Sequence, residues 1–206
     1  DFADPIRKLV DLYEPNPPIA QKYLAAMRIP EVAEQTILPD KPQPIIDFDA
    51  VFIPDNFERV AMIAPQLAFH DILGVRLLGT SPWQSPKLTE MAGDHVQEDL
   101  FPSGFFPASP EPGTEAFAAR YRACFDAPPG TLAATAYDTI RLLKKVFKAN
   151  QVRTRSGLRD ALLTSEGFRG VTGSIVFTTE GEAEKIPTIL TVYGSAFIED
   201  PIFSAQ

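Results

Sequence analysis

The stretch "DFDAVFIPDNFERVAMIAPQLAFHDILGVRLLGTSPW", residues 47–83, constrains the fold more than any other part of the chain. Ala50–Val51–Phe52–Ile53 is a short apolar run between turn signals, the pattern of a strand buried on both faces in a parallel sheet. Asp55 with Glu58 three residues on resembles a capping box with Asp55 as the cap. Phe57, Val60, Ile63, Ala64 and Leu67 then fall on one helical stripe. Pro65 lies within that stripe and kinks the helix unless the helix starts late enough to tolerate it. Gly74 closes the helix, and Val75–Leu78 form the next strand. Strand, helix and strand in succession make a β–α–β unit with a right-handed connection.

The flanking sequence supplies more elements of the same kind. Residues 3–13 place Ile6, Leu9, Val10 and Tyr13 at helical spacing, with Asp4 and Pro5 as N-cap and first helical residue. A second helix is predicted over 18–28, and the Pro-rich segment 29–46 reads as a surface excursion. Residues 96–106 predict a strand ending in Phe105–Phe106. Residues 112–126 predict a helix with Phe117, Tyr121, Cys124 and Phe125 on one face. The longest helix, 131–149, is expected to turn Ala133, Ala136, Tyr137, Ile140, Leu143 and Phe147 inward. A short helix over 156–164 precedes strands at about 174–178 and 187–193, with Glu180–Gly181 as the turn between them. The order predicts an α/β fold with a largely parallel, Rossmann-like sheet.

Composition removes several functions. A net charge of −8 argues against nucleic acid, because phosphate binding needs clustered Lys and Arg. The basic cluster Lys144, Lys145 and Lys148 reads as the solvated face of its helix. Cys124 is the only cysteine, so no disulfide forms within the chain and no cysteine-ligated zinc site exists. It reads as a small core residue. His70 and His95 lie far apart without a second-ligand spacing, and His70 reads as a surface residue. No window reaches the roughly 18 consecutive apolar residues of a membrane span. Most of the 20 prolines cluster at 15–18, 39–44, 82–86, 102–112 and 128–129, marking loops between compact elements. The chain opens on "DFADPIRKL" without a Met or signal peptide, so a processed or truncated product is expected.

Open α/β sheets bind ligands outside the carboxyl ends of their strands. Two loops qualify, "PDN" (54–56) and "TSPWQS" (80–85). Asp55 and Asn56 stand at a helix N-terminus, where polar groups either cap the helix or meet a ligand. Thr80, Ser81 and Ser85 offer hydroxyls. Trp83 offers a flat surface, either to a ligand or as a buttress under the loop. There is no G-x-S-x-G, and "GVTGS" (170–174) matches neither phosphate-binding glycine pattern. Glu180, Glu182 and Glu184 read as a solvated turn. With no nucleophile–base pair, neither an enzyme nor a cofactor is expected.

Five segments in order, "DFADPIRKL", the 47–83 stretch, "AGDHVQEDLFPSGFF", "FAARYRACFDAPPGTLAATAYDTIRLL" and "LRDALLTSEGFRGVTGSIVFTTEGEAEK", together resemble the C-terminal half of the type I periplasmic binding proteins, the branched-chain amino acid receptor class. "AYDTIRLL" (136–143) and "FRGVTGSIVF" (168–177) are the most specific parts. Within that class, "IAPQLAF…GVRLLGTSPW" is most similar to lipoproteins known as penicillin-binding protein activators.

The resemblance implies two α/β lobes with a ligand cleft at the hinge, most of the first lobe being absent from this chain. Residues 1–106 would be the second lobe, 107–170 helices that pack on the first lobe, and 171–206 closing strands near the hinge. The implied function is non-catalytic binding of a small polar, amino acid-like solute for an ABC-type transporter or sensor. Asp55, Asn56, Thr80 and Ser81 would meet polar ligand groups, Trp83 an apolar face, and Tyr137 would sit near the hinge. Where family receptors often carry an aromatic and an acid, this chain has Asn56 and Ser81. The alternative is an interaction module of the activator type that regulates cell-wall synthesis. Implied partners are the solute and a membrane permease or cell-wall synthase, with self-association or a missing N-terminal half. The implied location is the periplasm, with a lipid anchor in the longer protein.

Overall fold

A computed structural model describes residues 2–10, 44–150 and 152–203. The helix expected over 18–28, Tyr13 and most of the 29–46 excursion lie outside them. Helix α1 (Ala3–Leu9) starts one residue ahead of Asp4, so Asp4 and Pro5 fall in its first turn rather than capping it. The β–α–β unit follows as β1 (Ala50–Phe52), α2 (Phe57–Phe69) and β2 (Arg76–Leu78). The cap of α2 is Asn56, one residue later than expected. Its side chain accepts the Arg59 N–H at 3.1 Å, while Asp55 accepts the Asn56 N–H at 2.8 Å. The helix continues through Pro65. His70, at its end, is buried rather than exposed and meets Phe69 edge-on.

A short helix, α3 (Pro86–Ala92), leads to β3 (Leu100–Ser103). β1, β2 and β3 are parallel, with Phe52 opposite Leu78 and Leu78 opposite Leu100. β7 (Thr188–Tyr193) and β8 (Ala196–Glu199) return from the far end of the chain and extend this sheet antiparallel, giving the order β1-β2-β3-β7-β8. One face carries Leu77, Phe101, Leu190 and Val192, which join Val60, Ala64 and Leu67 of α2 and Leu88 of α3 in the main core. The opposite face presents the row Phe52, Leu78, Leu100, Thr191 and Ile198. β1 is therefore not buried on both faces. It is an edge strand among the described residues, and Phe52 is 60% exposed.

The remaining elements are α4 (Pro112–Phe125), α5 (Thr131–Asn150) and α6 (Arg155–Leu163), with β4 (Phe168–Gly170), β5 (Gly173–Phe177) and β6 (Ala183–Lys185) in a second, antiparallel sheet. The Glu180–Gly181 turn joins β5 to β6, not to the strand beginning at 188, which belongs to the larger sheet. Two small cores hold this part. One is Phe105, Phe117, Ala134 and Val171, the other Leu142, Val146 and Phe168. The buried ridge of α5 is Ala134, Asp138, Leu142 and Val146. Ala136, Ile140 and Phe147, expected inward, are exposed, because the helix packs on the β4–β5 side and its apolar stripe faces away. Cys124 is exposed as well, since the last turn of α4 extends beyond its packing partners.

Candidate functional site

The loops after β1 and β2 come together because their strands are adjacent and parallel. Thr80 Oγ1 donates to the Asp55 carbonyl at 3.4 Å, tying one loop to the other. Asp55 also accepts from Arg59 at 3.3 Å, one turn along α2, a partly exposed pair that contributes little stability. Asn56 and Ser81 are exposed, and Asp55 and Thr80 are half-buried. These four form one polar rim at the carboxyl ends of β1 and β2.

Trp83 does not belong to the rim surface. Ser81–Trp83 make a single 3-10 turn, closed by the Trp83 N–H donating to the Thr80 carbonyl at 2.9 Å. That turn drives the indole inward, where it is 0% exposed and tilted against Phe101 at 6.1 Å. A Cβ at Gly79 would overlap the indole ring, so only glycine admits this packing. In this conformation Trp83 is a buttress beneath the loop and presents no face to a ligand. Its Nε1 is buried without a hydrogen-bond partner among the described residues.

Gln84 and Ser103 complete the rim's support and are not picked out by the sequence. Gln84 Nε2 donates to the Phe105 carbonyl at 3.0 Å, and its Oε1 accepts the Ser103 hydroxyl at 2.7 Å. Ser103 Oγ in turn accepts the Phe105 N–H at 3.2 Å. The rim thus leans on the end of β3. The only sequence signal was a polar Gln inside the "TSPWQS" loop.

Tyr137 is not brought beside these residues. It lies on α5, 4.6 Å from the Phe117 ring and 5.5 Å from the Arg141 guanidinium, in the small core around Phe105. Between the two parts of the chain, Lys185 Nζ donates to the Gly104 carbonyl at 2.8 Å. Burial lowers the Lys185 pKa, opposed by the Asp138 charge.

A periplasmic binding protein family model matches residues 47–188. No curated protein sequence matches the chain. Among solved structures, it is similar to a protein described as a branched-chain amino acid ABC transporter from Rhodospirillum rubrum, at 27% identity and a TM-score of 0.68, covering 74% of this chain and 44% of that one. The LivJ substrate-binding protein of Streptococcus pneumoniae, solved with isoleucine, is 24% identical with a TM-score of 0.54, over 74% and 43% of the two chains. A solute-binding protein of R. palustris, solved with benzoate, is 18% identical with a TM-score of 0.52, over 73% and 42%. The chain spans less than half the length of each of these structures.

Proposed function

Since this chain belongs to the periplasmic binding protein family, we propose that it binds a small polar, amino acid-like solute without chemical change and serves an ABC-type permease or a sensor. The observation that carries this reading is the tie between Thr80 and the Asp55 carbonyl, which sets two polar loops side by side at the carboxyl ends of adjacent parallel strands. Asn56 and Ser81 are the exposed groups on that rim, and they would hydrogen-bond the solute directly. Asp55 would act mainly by holding Asn56 and Arg59 in place. Trp83 supports the loop from below, and Tyr137 would act only indirectly, through the core it shares with Phe105.

Residues 1–106 would then form the second lobe and 107–170 the helices that meet the first, with 171–206 closing near the hinge. A solute bridging two lobes would favour the closed arrangement by population shift. Members of the family are periplasmic, and we place this chain there.

Isothermal titration of the chain with leucine, isoleucine and benzoate tests the reading. Binding that weakens about tenfold in Asn56→Ala and in Ser81→Ala, the loss of one hydrogen bond each, supports it. Binding unchanged in both variants overturns the assignment of these residues. A second reading, an interaction module of the penicillin-binding protein activator type, is favoured by one observation. The Asp55 carboxylate is already engaged by Asn56 and Arg59, which leaves the rim no free charge for an amine. No response to any solute, with capture of a cell-wall synthase, would select it.

A further inference from the structure

At the end of the larger sheet opposite the rim, where β2 and β3 begin, the chain buries a carboxylate that the solute-binding reading does not use. Asp99 is 4% exposed. Its Oδ1 accepts the Leu77 N–H at 2.7 Å, a tie between β2 and β3. Its Oδ2 is buried with no hydrogen-bond donor among the described residues. The preceding residue, Glu98, adopts a left-handed backbone with φ +62 and donates its N–H to the Val192 carbonyl, so Asp99 enters from a turn fixed on both sides. A cavity of about 340 Å³ lies beside it, walled by apolar residues of α2 and the loop that follows, with Arg76, Asp94, His95 and Glu98 as its charged or titratable members. Arg76 is 3.8 Å from Glu98, and both side chains are exposed.

A carboxylate oxygen with no partner and no water contact is far costlier to bury as an anion than as a neutral acid. We propose that Asp99 is a proton-operated switch in the join between β2 and β3. With the proton on Oδ2, the neutral acid keeps its bond to Leu77 and Arg76 stays with Glu98. When the proton leaves to water in the cavity, the new charge draws Arg76 from Glu98 towards Asp99 and admits water to Oδ2. No other reactant is involved. Burial raises the pKa of Asp99 to about 7, while the Leu77 N–H and the Arg76 charge pull it down. The switch therefore acts within the neutral range. Arg76 favours deprotonation, and the carboxylates Asp94 and Glu98 on the cavity wall carry the charge that would oppose it.

The test is a titration of the Asp99 carboxyl carbon by nuclear magnetic resonance in the 206-residue chain without solute, so its outcome is independent of the reading above. A midpoint near 7 is expected. The Leu77 amide shift should move with the same midpoint. Arg76→Gln, which leaves the carboxyl untouched, should raise the midpoint. Glu98→Gln should lower it by freeing Arg76 and removing a negative charge. A midpoint in the ordinary carboxylate range near 4 overturns the proposal, as does a midpoint that neither variant moves.

Discussion

Asp138 grips Thr172 twice. Its Oδ2 accepts the Thr172 backbone N–H at 2.8 Å and the Thr172 hydroxyl at 2.7 Å, while Oδ1 accepts the Val171 N–H at 2.9 Å. The carboxylate is 1% exposed and sits in the middle of the buried ridge of α5. "AYDTIRLL" and "FRGVTGSIVF" are thus one structural unit, in which a helix carboxylate serves the turn between two strands. Gly170 is part of it, because a Cβ there would collide with the same carboxylate.

Asp138→Ala should destabilise the chain by roughly 3 kcal/mol or more, since two backbone donors and a hydroxyl are left buried without a partner. Asp138→Asn should cost less, because the amide oxygen still accepts from one donor. In urea unfolding, Gly170→Ala should be destabilising alone but add little to Asp138→Ala, as the two share one site. Simple additivity would show that the overlap at Gly170 is relieved elsewhere.

The loop buttress gives a second test. Gly79→Ala would push its methyl into the Trp83 ring, at a cost of roughly 1–3 kcal/mol for overpacking. Trp83→Ala should cost about 3–5 kcal/mol, the range for emptying a large aromatic site. Trp83 is the only tryptophan, so fluorescence reports on it alone. Emission in the parent chain should be short-wavelength and resistant to acrylamide, and Gly79→Ala should shift it to the red. Strong quenching in the parent would mean that the indole is exposed after all.

The sequence shows both strands and the start of α2 to within one or two residues because their apolar periods are regular and their ends carry turn residues, but it runs the helix on to Gly74 although α2 ends at Phe69. The same reasoning misassigns the inward face of α5. It counts Ile140 as core and leaves Asp138 out, yet the ridge is built on a carboxylate whose partners lie 33 and 34 residues away. Asn56 replaces Asp55 as the cap because both residue types suit that position and only the backbone decides between them. Placing Asp55, Asn56, Thr80 and Ser81 on adjacent loops needs only the rule about strand ends. Finding Gln84 and Ser103 does not follow from any local pattern, since their pairing depends on how the 80–85 loop meets β3. The burial of Trp83 likewise depends on a contact with Gly79 that composition does not reveal.

Stability should depend on pH through Asp99. Its folded pKa lies near 7 against 3.8 for the free side chain. Between those values the folded chain holds a proton that the unfolded chain releases. The contribution of Asp99 to stability is therefore fully present below about pH 4 and falls as pH rises to about 7, by roughly 4 kcal/mol at most. Asp99→Asn, which keeps an acceptor for Leu77, removes this term. Urea midpoints for parent and variant should converge at low pH and separate towards pH 8, the variant being the more stable there. Parallel profiles would show that the carboxylate is accommodated without penalty.

The outward stripe of α5 predicts association. Leu132 is 87% exposed, Ile140 is 66% exposed, and Phe147 and Phe125 are also largely open to solvent. Leu132, Ile140 and Phe147 follow one another at near-helical spacing, on the side of α5 away from the Asp138 ridge, and Phe125 ends α4. Exposed apolar stripes of this kind usually mark an interface. In the solved relatives more than half of the chain has no counterpart here, so we expect the stripe to be covered by additional polypeptide or by a second copy of this chain. Sedimentation equilibrium should show concentration-dependent self-association of the parent. Leu132→Lys with Ile140→Lys should abolish it without changing the unfolding free energy from urea titration by more than about 0.5 kcal/mol, as both sites are already in water. A compact monomer at every concentration would assign the stripe no role in joining copies of this chain.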